Sequence, residues 1–172
     1  MRMSKLIDIK VIVLDVDGTM TDGGVYIDNN RVESKKFSIK DGAGIKIAQK
    51  AGIEFVILTG RKSNCVLQRA EELGIKNIYQ DIINKGEFLE KFFRDYGYSK
   101  KEVAYIGDDL NDLEAMKRVE LSVCPSDACE EVKKFVDIIS SKRGGEGVVR
   151  EFVEVLLKER NLWTQIALNL FS

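Results

Sequence analysis

The sequence contains no histidine. That one absence removes Ser-His-Asp triads, Cys-His nucleophile pairs, HExxH zinc sites and phosphohistidine intermediates together. Chemistry in this chain has to run on carboxylates, hydroxyls, lysine, arginine or a hard metal ion. Cysteine is sparse as well: Cys65, Cys124 and Cys129 form an odd set without metal-site spacing, as expected of reduced thiols. No apolar run approaches the ~20 residues that span a bilayer. Met1 to Lys10 shows no continuous apolar stretch followed by a small-residue cleavage site, so a cytoplasmic location is expected. An excess of one charge is missing too. Lys and Arg number 27 against 28 Asp and Glu, which leaves no basic footprint for nucleic acid.

What is present is an ordinary globular balance, 44% hydrophobic and 32% charged, in a 172-residue chain suited to one domain spanning residues 1–172. Short apolar runs alternate with helix-like segments. Val11 to Leu14, Phe55 to Leu58, Asn77 to Tyr79 and Val103 to Ile106 read as strands buried on both faces, with Leu121 to Val123 and Val136 to Ile139 as shorter candidates. Between them, Gly44–Ala51, Ser63–Leu73, Lys85–Tyr96, Asp112–Val119 and Asp127–Phe135 carry helical periodicity, and Val148–Arg160 forms a last helix. Alternation of this kind predicts an α/β fold, a parallel sheet flanked by helices. One stretch departs from it. Residues 23–39 read as a projecting β-hairpin turning at Asp28 to Arg31, with a second arm running through Phe37 to Ile39. The tail, about 161–172, carries Leu162, Trp163, Ile166, Leu168, Leu170 and Phe171.

Four pieces sit at the C-terminal ends of candidate strands, the edge at which open parallel sheets bind ligands. Asp15-Val16-Asp17-Gly18-Thr19 places two carboxylates two residues apart, an arrangement that calls for a cation such as magnesium. Thr59-Gly60-Arg61 offers a hydroxyl and free backbone N–H groups for phosphoryl oxygens. Lys85 can neutralise a phosphoryl group or a carboxylate. Gly107-Asp108-Asp109-Leu110-Asn111-Asp112 puts three acids within five residues.

This ordered set resembles the four motifs of the haloacid dehalogenase superfamily. The resemblance implies a Rossmann-like core with Asp15 as nucleophile and Asp17 as general acid/base. It implies phosphate binding by Thr59, Gly60 and Lys85. It further implies Mg2+ held by Asp15, Asp17 (through its backbone carbonyl) and Asp108, with Asp109 and Asp112 in support. The segment between Asp17 and Thr59 holds only the hairpin and one helix, and that between Thr59 and Lys85 one helix and one strand. Neither has room for a cap of ~50 residues, so no cap domain is expected.

The runs Asp17-Gly18-Thr19-Met20-Thr21-Asp22-Gly23, Lys40-Asp41-Gly42-Ala43-Gly44-Ile45 and Arg143-Gly144-Gly145-Glu146-Gly147-Val148-Val149-Arg150-Glu151 are similar to the 3-deoxy-D-manno-octulosonate 8-phosphate phosphatases. That family implies a sugar-acid phosphate substrate on the route to lipopolysaccharide, and Arg61 on the sugar's carboxylate. It also implies a homotetramer whose hairpins meet at a centre and whose neighbouring subunits close each active site, through the segment near Arg143 to Gly147 or the tail. Relatives with nearly the same motifs act on nine-carbon sialic-acid-type sugar phosphates. A phosphatase of macromolecules and a non-catalytic assembly module are the other classes weighed. The near-neutral charge disfavours the first as a nucleic-acid enzyme, and the complete motif set disfavours the second.

Overall fold

Val11-Ile12-Val13-Leu14 forms β1 (Val11–Leu14), and all four side chains are fully buried. Each contributes roughly 1.5–3 kcal/mol relative to exposure. A strand apolar on both faces needs cover on both. The computed structural model, which describes residues 4–170, supplies it. β4 (Glu54–Leu58) and β6 (Val103–Ile106) flank β1 in parallel, with Val11 opposite both Glu54 and Val103. β5 (Asn77–Tyr79), β7 (Leu121–Cys124) and β8 (Ile138–Ile139) complete a six-stranded sheet in the order β5-β4-β1-β6-β7-β8. The strand order reverses at β1, so the crevice beyond its C-terminal end is the natural ligand position.

The pleat divides the core in two. Ile12, Leu14, Phe55, Ile57, Ala104 and Ile106 face one layer with α2 (Ile39–Lys50), α3 (Asn64–Leu73) and α7 (Val148–Glu159). Val11, Val13, Val56, Leu58, Val103 and Tyr105 face the other, with α4 (Lys85–Tyr96), α5 (Leu113–Met116) and α6 (Glu130–Phe135). A short α1 (Ser4–Ile7) buries Leu6 in the first layer. No cap domain interrupts the described residues, and no helix among them is long and apolar enough to cross a membrane.

Several boundaries differ from expectation. The hairpin's strands are short, β2 (Tyr26–Ile27) and β3 (Glu33–Ser34), and Ile39 opens α2 instead of ending the second arm. Ser38 explains the change: in extended conformation, it accepts the Asp41 N–H at 3.3 Å and caps the helix five residues earlier than predicted. α6 starts late because the Cys129 N–H donates to the Asp108 carbonyl at 3.0 Å rather than joining a helix. The tail does not hang free. Leu162 and, on α8 (Trp163–Leu170), Trp163, Ile166 and Ala167 pack on the first core layer, with Arg150 over the Trp163 ring at 4.7 Å. Phe171 lies outside the described residues.

Candidate active site

Asp15 extends β1 by one residue, and its N–H donates to the Ile106 carbonyl at 2.9 Å. The main chain therefore fixes this carboxylate at the mouth of the crevice. Lys85 opens α4 with its side chain fully buried. Its Nζ lies 2.6 Å from Asp15 Oδ1 and 2.6 Å from Asp112 Oδ1. Burial opposes the ammonium charge, but the two carboxylates outweigh it and the Lys85 pKa rises. Asp112 is fully occupied: Oδ1 also accepts from the Tyr105 hydroxyl at 2.6 Å, and Oδ2 accepts the N–H groups of Asp108 at 3.0 Å and Asp109 at 3.3 Å. Burial, together with the acids around it, holds the Tyr105 hydroxyl well above its ordinary pKa, so it stays a donor. Asp112 thus orients Lys85 and the acidic loop. Asp109 faces outward and caps the following turn through the Leu110 N–H at 2.8 Å.

Asp15, Asp108 and Asp112 each offer a carboxylate oxygen within 4.8 Å of the others. Burial first, then the charge of Asp112, push the Asp15 pKa well above its ordinary value against the pull of Lys85. The same two causes push Asp108 up to about 7. Asp108 Oδ1 accepts from Thr19 Oγ1 at 3.1 Å, and a side chain at Gly18 would strike Oδ2, its Cβ falling 2.1 Å away. Negative charge exceeds what Lys85 neutralises, and every donor is a hard oxygen, so the cluster fits a small divalent cation. With Asp112 occupied, Asp15 and Asp108 are the carboxylates able to hold it.

This crowding predicts an unusual pH response. The folded Asp108 binds its proton up to about pH 7, whereas the ordinary value is 3.8. Between those values the folded state carries a proton that the unfolded chain has lost, so stability falls as pH rises through the window. Melting scans of metal-free protein should show a higher midpoint at pH 5 than at pH 8, and a millimolar divalent cation should raise the pH 8 value. A metal-free midpoint that climbs from pH 5 to pH 8 would contradict this account.

Thr59 directly follows β4, buried, with its N–H on the Tyr79 carbonyl at 3.0 Å and its own carbonyl accepting from the Ile82 N–H at 3.1 Å. Gly60 and Arg61 follow it into the same crevice edge. Asp17, Arg61, Lys35 and Glu33 form a ring of alternating charge. Lys35 Nζ contacts Asp17 Oδ1 and lies 3.2 Å from Glu33 Oε1. Arg61 lies 2.9 Å from Glu33 Oε2 and 3.7 Å from Asp17 Oδ2.

Sequence reasoning missed Lys35, Glu33, Thr19 and Tyr105. A signal existed for the first two. Residues two apart on an extended arm share a face, so Glu33 and Lys35 could have been placed together.

The segment near Arg143 to Gly147, or the tail beyond it, is expected to reach toward a neighbour's Asp15; within its own chain this loop rests on the turn at Gly18 to Thr21. The Gly145 N–H donates to the Thr19 carbonyl at 3.0 Å, and a Cβ at Gly144 would lie 1.9 Å from the Gly18 carbonyl oxygen. Only glycine lets the two backbones approach so closely. α8 likewise packs on its own core.

Comparisons with known proteins show the family. The model of the haloacid dehalogenase-like hydrolase family matches residues 12–82 and 76–152. The chain is similar to the 3-deoxy-D-manno-octulosonate 8-phosphate phosphatase of Escherichia coli strain K12, with 39% identity over 155 residues, 90% of this chain and 82% of the relative. It is similar to the same phosphatase from Moraxella catarrhalis, solved in complex with a magnesium ion, a phosphate ion and KDO. The TM-score is 0.92 at 37% identity, covering 96% of this chain and 95% of that one. The cobalt-bound enzyme of Haemophilus influenzae superposes with a TM-score of 0.87 at 36% identity, covering 91% and 92%.

Proposed function

Since the chain belongs to the 3-deoxy-D-manno-octulosonate 8-phosphate phosphatase family of haloacid dehalogenase-like hydrolases, and is a phosphatase, we propose that it hydrolyses 3-deoxy-D-manno-octulosonate 8-phosphate through an aspartyl phosphate on Asp15. The observation that carries this reading is the buried Asp15–Lys85–Asp112 cluster at the open end of β1. It presents a fixed carboxylate nucleophile beside a permanent cation, which is what phosphoryl transfer asks of a protein.

An oxygen of Asp15 attacks phosphorus as the bond to the sugar oxygen breaks. Asp17 gives that leaving oxygen a proton. Asp17 then takes a proton from the water that attacks the acyl phosphate, releasing inorganic phosphate and restoring Asp15. Lys85 offsets charge on the phosphoryl oxygens, and Thr59 and Gly60 bind them. Mg2+, when bound on Asp15, Asp108 and the Asp17 backbone carbonyl, supplies charge neutralisation and alignment. Arg61, 44% exposed at the rim, is suited to the sugar's carboxylate. The chain works as one domain in the cytoplasm.

The open crevice and the exposed Val25, Tyr26, Ile27 and Val32 of the hairpin support a homotetramer centred on the hairpins, with neighbouring subunits covering each site.

One set of measurements tests these points. Phosphate release should be fastest on the eight-carbon sugar-acid 8-phosphate, slower on nine-carbon keto-sugar 9-phosphates, and lost by at least about 100-fold after chelation. The active species should sediment as a tetramer. Preference for a nine-carbon substrate, full activity without metal, or a fully active 19.4 kDa particle would each overturn the corresponding part.

A further inference from the structure

Lys35 has no place in the motif set, yet it is the nearest cation to the proposed acid/base. Its side chain is fully buried, although it comes from a hairpin arm whose neighbours are exposed. Nζ donates to Asp17 Oδ1 and pairs ionically with Glu33 Oε1 at 3.2 Å. Burying a lysine costs free energy unless it is paired, and here both partners are carboxylates of the crevice. The hairpin arm is itself pinned near the site: the Cys65 thiol on α3 donates to the Glu33 carbonyl at 3.1 Å. Asp17 Oδ2 is left on the side of the partly exposed Arg61, at 3.7 Å and beyond a hydrogen bond.

We infer that Lys35 is a positioning residue for proton transfer: it fixes the Asp17 carboxylate through Oδ1, with Glu33 fixing the ammonium, so that Oδ2 exchanges the proton with the leaving oxygen and then with water. The inference rests on the reading of Asp17 as acid/base. In the first half-reaction, the Asp15–phosphorus bond forms, the ester P–O bond breaks, and the departing oxygen takes its proton from Oδ2. In this half-reaction, the one that kcat/KM reports, misplacing that oxygen matters only when the leaving group needs the proton. An alkoxide needs it; a nitrophenolate does not.

The test uses the full chain with magnesium and three substrates: the sugar-acid phosphate, glycerol 3-phosphate as a simple alkyl ester, and p-nitrophenyl phosphate. In Lys35→Met, kcat/KM on both alkyl esters should fall roughly 10- to 100-fold, while kcat/KM on the aryl ester stays within about twofold of the parent. The preserved aryl rate also reports a folded enzyme. Lys35→Arg should restore part of the alkyl rate, and Glu33→Gln should show a smaller alkyl-specific loss. Asp17→Asn serves as the reference and should show the same alkyl-specific pattern more strongly. Equal losses on all three substrates in Lys35→Met would mean a structural role, and a loss confined to the sugar acid would mean direct substrate contact. Either overturns the inference. If Asp17→Asn discriminates and Lys35→Met does not, Lys35 loses its role and Asp17 keeps its own. If neither discriminates, both assignments fail.

Discussion

Replacing Asp15 with asparagine is expected to lower phosphate release by at least about 10⁴-fold while the chain stays folded. An amide cannot form the acyl phosphate, so no partial version of the same route remains. The fold should tolerate the change. The N–H of residue 15 still reaches the Ile106 carbonyl, and Lys85 keeps Asp112 at 2.6 Å. One negative charge also leaves a cluster in which burial and Asp112 already push the Asp15 carboxyl toward its protonated form. The metal-free variant should therefore melt at or above the parent's midpoint at pH 8. Phosphate-release kinetics and melting scans on the same sample decide the matter. Residual turnover within about 100-fold of the parent would remove the covalent route. A collapsed midpoint would mean that the carboxylate holds the fold as well as the chemistry.

Lys85→Met should cost more in stability than any other change in the site. The lysine is buried, and it is the shared counter-charge of Asp15 and Asp112. Methionine fills similar space but leaves two buried carboxylates facing each other, and losing one partner of a buried ion cluster costs about 3–5 kcal/mol. Urea denaturation measures this directly. The loss should be larger at pH 8 than at pH 5, because protons can replace the missing ammonium at the lower pH. Turnover should vanish with it. Adding Asp112→Asn to Lys85→Met should recover part of the stability and none of the activity, since it removes one unpaired carboxylate without restoring a cation for the phosphoryl group. A loss below about 1 kcal/mol at pH 8 would show that water or a rearranged side chain satisfies the pair.

Most parts of this site that were legible in the sequence lie at the ends of strands. Asp15, Thr59 and Asp108 each follow a run of buried apolar residues, and strand ends in a parallel sheet converge by topology alone. Lys85 was legible because it opens a strongly periodic helix, Lys85–Tyr96, whose boundaries matched. Tyr105 was hidden inside a strand that reads as apolar. Its ring does pack in the core, and only the hydroxyl, invisible to a hydrophobic pattern, reaches Asp112. Lys35 and Glu33 were hidden for a different reason. Their meeting with Asp17 and Arg61 depends on how far the hairpin folds back, and no local rule sets that angle. The helix in the tail was not read from the sequence although its spacing was informative. Trp163, Ile166 and Ala167 lie three and four residues apart, the signature of a helix seated on a core.

The seating of Gly144 and Gly145 on the turn at Gly18 to Thr21 has a consequence in time as well as in space. Asp15 is synthesised well before the parts that complete its surroundings: its strand lies mid-sheet, where β1 has β6 as a neighbour. The turn that aims it is closed by a hydrogen bond from residue 145. A nascent chain therefore carries Asp15 as an unassembled carboxylate until residue 145 has been made. Translation that stops before that point yields a fragment with Asp15 and no assembled crevice, so copies of that kind are expected to be silent by topology, with no separate inhibitor.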